Sequence, residues 1–359
     1  MVDSLSPGLL ERLPESPRKV VLVRPARLGD FICATPAFRA LRAALPLAEI
    51  SIIALPILHD LAVRMPDFNH YLAFPGFPGI AEQFFDARRA LNFFQAMQAE
   101  KFDLAVQMYG SGVYSNPFTL MLDAQATAGF VHDPGWSSRL DAALPMPGAG
   151  HEVARILALA EFLGAKPQGT WTEFPLLPED HAAAADLLEG AKPPLIGLHP
   201  GTREASRQWE PQRLGALGRA LHRRYGGSLV LLGAEGERSV AEAVADSTGE
   251  PCINLAGKTS LATLGAVIAR LSVLVANSSG PAHIAYALGT STVTVFGNAS
   301  VERYGPPAGN RHRYLGGRQD PEGSPSATRL EEISVVQVLA AAEEVMALED
   351  VIGEEKVGG

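Results

Sequence analysis

The sequence predicts an α/β protein of two doubly wound domains with a cleft between them. Three observations carry this. Short aliphatic and β-branched runs alternate with segments of helical period in both halves of the chain. A proline-dense break separates the halves. The length, 359 residues, suits about two domains.

The elements follow in order. Residues 19–23 read as a buried strand and residues 24–30 as a loop containing Gly29. Residues 31–45 read as one helix, with Ile32, Phe38, Leu41 and Leu45 at helical spacing and Pro46 as its stop. Residues 49–55 give a second strand, so the chain opens on a βαβ unit and a parallel sheet. Residues 74–85 form an apolar loop carrying Phe74, Phe77, Ile80, Phe84 and Phe85. Its composition suits buried packing, or contact with a lipid-linked acceptor or a membrane surface. A helix at 87–100, a strand at 102–108 with a glycine loop at 109–112, and a helix at 150–163 complete a first domain of residues 1–170.

Prolines 167, 175, 178, 193 and 194 interrupt the next stretch, which makes 171–194 the linker. The second domain, 195–329, repeats the grammar. Strands are expected at 195–199, 228–232, 273–276 and 292–296, and helices at 211–224, 237–246, 261–270 and 281–288. A last helix at 330–349 is expected to pack back on the first domain, with 350–359 as a flexible tail. In such sheets ligands bind at the carboxyl ends of strands, so the loops that follow strands are where chemistry is sought.

Composition excludes several classes. No apolar run reaches the ~20 residues a membrane helix needs. Residues 1–17 are acidic and proline-bearing and do not read as a signal peptide. Two cysteines, Cys33 and Cys252, make neither a disulfide framework nor a metal cluster and fit a reducing cytoplasm. A net charge of −9 argues against nucleic-acid binding. That charge is uneven: residues 331–359 carry a net −7 and residues 18–42 a net +5. The basic stretch suits an anionic substrate or membrane surface, or a solvated helix face.

Four strings in sequence order carry a family resemblance. They are the run from Val21 to Ile32 with Thr35-Pro36-Ala37 after it; His199 to Thr202 with Arg207-Gln208-Trp209; Gly233-Ala234-Glu235; and Ser279 to His283 followed by Ala287-Leu288-Gly289 and Phe296-Gly297. Together they resemble the heptosyltransferases of glycosyltransferase family nine, over about residues 19–349. The resemblance implies the GT-B type of fold, two Rossmann-like domains facing a central cleft. It also implies an inverting transferase with a nucleotide-diphosphate sugar donor, ADP-heptose in the family, and no metal or other cofactor. The acceptor would be a lipopolysaccharide core or another surface glycan or glycolipid, reached from the cytoplasm with peripheral contact at the inner membrane face. An epimerase or hydrolase of sugar nucleotides, or a non-catalytic binder, are the other readings of such a fold.

The resemblance also assigns roles. Gly201 and Thr202 lie in a strand-to-helix loop whose N–H groups suit a phosphate, and Arg207 adds positive charge. Ser279 and Gly280 open a second helix with Pro281 in its first turn. Glu235, in the loop after a strand, is placed on the nucleoside ribose. Ser278 and His283 are candidate donor contacts, and Arg27 and Gly29 stand on the acceptor side. Arg207 occupies a position where the family usually has lysine, and Ser278 one where it often has aspartate. Asp30 matches the catalytic base, which removes the acceptor hydroxyl proton. Read from position alone, Asp30 is instead an N-cap, Gly201 a turn glycine, Glu235 a solvated cap and His283 a packing residue. Trp209 is expected to pack behind the phosphate loop.

Overall fold

The computed structural model describes residues 5–133, 135, 139–318 and 329–357, and the chain divides into two units, Met1–Pro175 and Leu176–Gly359. The first unit runs α1 (Leu9–Arg12), β1 (Lys19–Val23), α2 (Leu28–Cys33), α3 (Thr35–Ala44), β2 (Glu49–Ala54), α4 (His59–Ala62), β3 (His70–Ala73), α5 (Ala87–Glu100), β4 (Leu104–Gln107), α6 (Ser115–Leu120), β5 (Ala126–Val131), β6 (Ala142–Pro145) and α7 (Glu152–Leu163). Its six strands are all parallel, in the order β3-β2-β1-β4-β5-β6. A parallel sheet is covered on both faces, which is why Val20 to Val23 and Ile50 to Ala54 are buried without alternation.

The helix expected at 31–45 is two helices. Pro36 brings no N–H to the ladder, and the Thr35 hydroxyl donates to Ile32 O at 2.8 Å, so the chain turns at Ala34 and restarts. The first of the two begins at Leu28, earlier than the sequence suggests. Asp30 therefore sits inside the first turn of α2, and Arg27 holds the N-cap position without a side-chain capping bond.

The apolar loop before α5 is partly buried and partly exposed. Phe74 and Ile80 are buried, and Phe74, Phe77, Phe94 and Phe118 form a cluster of edge-on and tilted rings with centroids 5.1 to 6.1 Å apart. Phe84, in contrast, is 83% exposed.

The second unit runs α8 (Pro178–Leu187), β7 (Leu195–His199), α9 (Pro211–Tyr225), β8 (Ser228–Leu231), α10 (Arg238–Thr248), β9 (Cys252–Asn254), α11 (Leu261–Ile268), β10 (Val273–Asn277), α12 (Gly280–Leu288), β11 (Thr292–Ser300), α13 (Val301–Tyr304), β12 (His312–Arg318) and α14 (Val335–Val357). Its parallel sheet has the order β12-β11-β10-β7-β8-β9. Both sheets thus reverse strand order at one point, between β1 and β4 and between β10 and β7. Such switch points leave a crevice at the strands' carboxyl ends.

Two expectations about the chain's end are corrected. The last helix was placed against the first domain, but Val338, Ala342, Val345 and Met346 of α14 are core residues of the second unit, packed with Leu214, Leu217 and Val295. Of the residues expected as a tail, those up to Val357 continue that helix, and 358–359 lie outside the described residues. Within the stretch 171–194, expected as the linker, α8 belongs to the second unit and packs on α11, with Ala184 fully buried. Among the described residues, no helix is long and apolar enough to cross a membrane.

Candidate active site

In the second unit, three loops meet at the carboxyl ends of β10, β7 and β8. His199, the last residue of β7, is buried and serves both neighbours. Its Nδ1 lies 3.3 Å from the Ser279 hydroxyl after β10, and its Nε2 lies 3.5 Å from Glu237 after β8. Asn277, the last residue of β10, crosses the switch point. Its amide donates to Pro200 O at 2.7 Å, and its carbonyl accepts from Trp209 N–H at 3.0 Å. The two strand-to-helix loops that the sequence singles out are therefore tied to each other.

Each residue singled out in the second unit has a definite place. Gly201 is buried, and a Cβ on it would fall 2.0 Å from the Glu237 carboxylate, so only glycine lets that carboxylate close over the loop. Thr202 is half-buried beside it. Ser279 is the N-cap residue of α12, yet its hydroxyl donates to Asn277 O at 3.0 Å and does not cap the helix. Gly280 is the helix's first residue. Ser278 follows β10 directly, its N–H donating to Val295 O at 3.0 Å. His283 is buried against Tyr286 and Tyr304, at centroid distances of 5.5 and 6.2 Å. Arg207 donates through Nε to Asn298 at 2.9 Å and pairs with Glu204 at 3.1 Å. Gly297 lets β11 run close beside it, since a Cβ there would be 3.3 Å from the Arg207 Cα. Trp209 packs under the loop as expected, with Nε1 donating to Ile333 O at 3.1 Å.

Glu235 is exposed and pairs with Arg238 at 3.0 Å. The carboxylate that turns into the loop cluster is Glu237. It accepts from Ala234 N–H at 2.8 Å, and the hydrogen bond with His199 holds its carboxyl below the usual range against the opposing pull of burial.

In the first unit, the crevice between β1 and β4 is held by charge. Arg24 follows β1, and its side chain is fully buried. It donates to Met108 O after β4 and, at 2.7 Å, to Asp30 O in α2. Glu152, at the start of α7, pairs with it at 3.2 Å and with Arg155 at 3.0 Å. Asp30 and Gly29 are half-buried in the first turn of α2. Arg27 is exposed and pairs with Glu82 at 2.7 Å. Tyr109, in the loop after β4, completes the group. Burial, and then the carboxylates of Glu82 and Asp30, push its hydroxyl's pKa up.

Residues 90–330 match glycosyltransferase family 9 (heptosyltransferase). The chain belongs to that family. Lipopolysaccharide heptosyltransferase 2 of Salmonella typhimurium is 26% identical over 317 residues, covering 83% of this chain and 87% of its own. A family 9 glycosyl transferase from Veillonella parvula matches with a TM-score of 0.79 at 20% identity, over 92% of this chain and 97% of its own. The ADP-heptose LPS heptosyltransferase II of E. coli matches with a TM-score of 0.75 at 20% identity, over 92% and 99%. The fold is therefore of GT-B type, with two Rossmann-like domains, and the protein is a glycosyltransferase.

Sequence reading of this family 9 transferase missed residues that hold its loops. Arg24 and Glu152 are 128 positions apart, and no local pattern joins them. Asn277 had one available signal: a polar residue ending a fully buried strand needs partners. Glu237 was hidden because it reads as the first residue of a helix.

Proposed function

We propose that this family 9 transferase moves heptose from ADP-heptose to a lipopolysaccharide core or a related surface glycan, inverting the anomeric centre without a metal ion. The observation that carries the reading is the cross-linked pair of loops, His199 to Thr202 and Ser279 to Gly280, at the switch point of the second unit. The Salmonella relative is named for lipopolysaccharide heptosyl transfer and the E. coli protein for ADP-heptose, which supplies the donor and acceptor classes.

In this reading, the N–H groups around Thr202 and at the start of α12 receive the diphosphate, and Arg207 leaves Glu204 to meet its charge. Glu237 closes over Gly201 and keeps the phosphates to the Thr202 and Ser279 side. The exposed Glu235 accepts the ribose hydroxyls, Ser278 borders the sugar, and His283, itself in α12 and packed against Tyr286 and Tyr304, is a further donor contact. Arg27 and Gly29 border the acceptor. The Asp30 carboxylate takes the proton of the acceptor hydroxyl. The oxygen's electron pair forms the new bond to the anomeric carbon, the bond from that carbon to the diphosphate breaks, and ADP leaves with its electrons. The enzyme works in the cytoplasm, and exposed Phe84 touches the inner membrane face beside a lipid-linked acceptor.

Thermal-shift measurements with ADP-, GDP- and UDP-sugars, followed by ADP release with and without acceptor, test this. ADP-heptose is expected to raise the melting temperature, and ADP to appear only when acceptor is present, with or without EDTA. Absence of any shift, or donor consumption without acceptor, contradicts the proposal.

A further inference from the structure

We propose that Arg24 and Glu152 are positioning residues that fix the main chain at Asp30. The inference rests on Asp30 being the base.

The geometry runs as a chain of buried contacts. Arg155 Nε donates to Pro147 O at 2.7 Å, and Arg155 Nη1 holds Glu152 at 3.0 Å. Glu152 holds Arg24 at 3.2 Å, and Arg24 donates to Asp30 O at 2.7 Å and to Met108 O. One guanidinium therefore grips both sides of the β1/β4 switch point while a carboxylate from α7 fixes its plane. The first turn of α2, where Asp30 stands, is pinned from the core. Only a planar fork reaches two carbonyls and a carboxylate at once. A lysine ammonium at the same place would be a point charge without that geometry.

Stability alone does not account for this arrangement. The Arg24 and Glu152 side chains are each 2% exposed, and removing both charges from water offsets most of their attraction. Arg24 Nε has no hydrogen-bond partner among the described residues, an added cost. What the network supplies is placement, and placement matters for a base. An error of about 1 Å in a reacting group costs roughly 100-fold in rate.

The test is a set of steady-state measurements on the full chain with ADP-heptose and acceptor, using Glu152→Gln and Arg24→Lys alone and combined with Asp30→Asn. Each single variant is expected to lower kcat roughly 10- to 100-fold, with the donor KM and the Kd for ADP within about two-fold of wild type. In the Asp30→Asn background the same changes should add less than about a two-fold further loss, because they act through the carboxylate that is gone. A double variant, Arg24→Met with Glu152→Met, removes the buried charges together. It should keep the melting temperature within a few degrees and still show the kcat loss. Unchanged kcat in the single variants overturns the proposal. So do losses that multiply with Asp30→Asn, and ADP binding that falls in parallel with kcat. If Asp30→Asn itself keeps wild-type kcat, it is the assignment of the base that fails.

Discussion

The two sheets solve one problem in different ways. Each has a switch point, and each ties together the loops on either side of it. In the first unit the tie is a fully buried ion pair, Arg24 with Glu152, gripping main-chain carbonyls. In the second it is a neutral amide, Asn277, and an imidazole, His199, joining Pro200, Trp209 and Ser279. A charged grip fixes geometry at a cost in desolvation. The Asn277 amide ties backbone groups without adding a charge, while His199 carries its tie on to the Glu237 carboxylate. Under the proposed function, the first tie serves a base whose placement matters and the second a departing diphosphate.

The comparison breaks first at Asp30. Asp30→Asn is expected to lower kcat about 10²- to 10⁴-fold while ADP affinity, which the proposed function assigns to the second unit, stays near wild type. Stopped-assay kinetics beside calorimetric titration of ADP check both halves of that statement. The reverse pattern is expected of Arg207→Ala. Donor use should weaken by about ten-fold, since a charge-assisted contact is worth on the order of 1.5 kcal/mol, with little change in melting temperature because Arg207 is partly exposed. Unchanged donor kinetics would remove Arg207 from the phosphate site.

Asn277→Ala tests the neutral tie. It strands Pro200 O and Trp209 N–H, so a loss of about 1–3 kcal/mol of stability is expected in chemical denaturation. A higher donor KM should accompany it. Loss of stability without any change in donor KM would make Asn277 a structural residue only.

How much of this could be read beforehand follows from chain distance. The opening βαβ unit, the linker prolines and the two strand-to-helix loops are local patterns, and they carried the fold class and the position of the two loops that Asn277 and His199 tie together. Short strands did not announce themselves. Cys252–Asn254 has three residues, Ala126–Val131 contains Gly129, and His312–Arg318 contains Gly316 and Gly317, which weaken the strand signal. The helix over 31–45 misled because periodicity continues through Pro36 although the hydrogen-bond ladder does not. The same holds for side-chain roles. Arg207 and Ser279 are visible from their loops, but the residues that hold those loops, Asn298 and His199, are 91 and 80 positions away. Glu235 drew attention because it follows the strand directly. A short 3₁₀ turn there carries the chain two residues further and directs Glu237 inward.

The smallest expected effect lies away from both switch points. Asp67 is 4% exposed, and its Oδ2 has no hydrogen-bond partner among the described residues. Burial, and then Glu173, push its carboxyl up to about 6, against the pull of Arg39 and Arg42. The folded state thus binds this proton more tightly than the unfolded chain. Its cost to stability is fully present above about pH 6 and is relieved as pH falls toward the ordinary value of 3.8. Asp67→Asn should therefore stabilise the protein by on the order of 1–2 kcal/mol at pH 7.5, and the gain should fade by about pH 4. Denaturant melts at the two pH values measure it. A gain that is the same at both would show that the carboxylate's charge is not the cause.

The reading as a whole turns on a single carboxylate in the first unit acting as base while a diphosphate departs from the second. The anomeric configuration of the transferred sugar, followed by NMR during turnover of ADP-heptose with a lipopolysaccharide-core acceptor, tests that most directly. One displacement assisted by one base predicts a product whose configuration is opposite to the donor's. Retained configuration would require a covalent glycosyl intermediate or front-side attack, and would contradict the account.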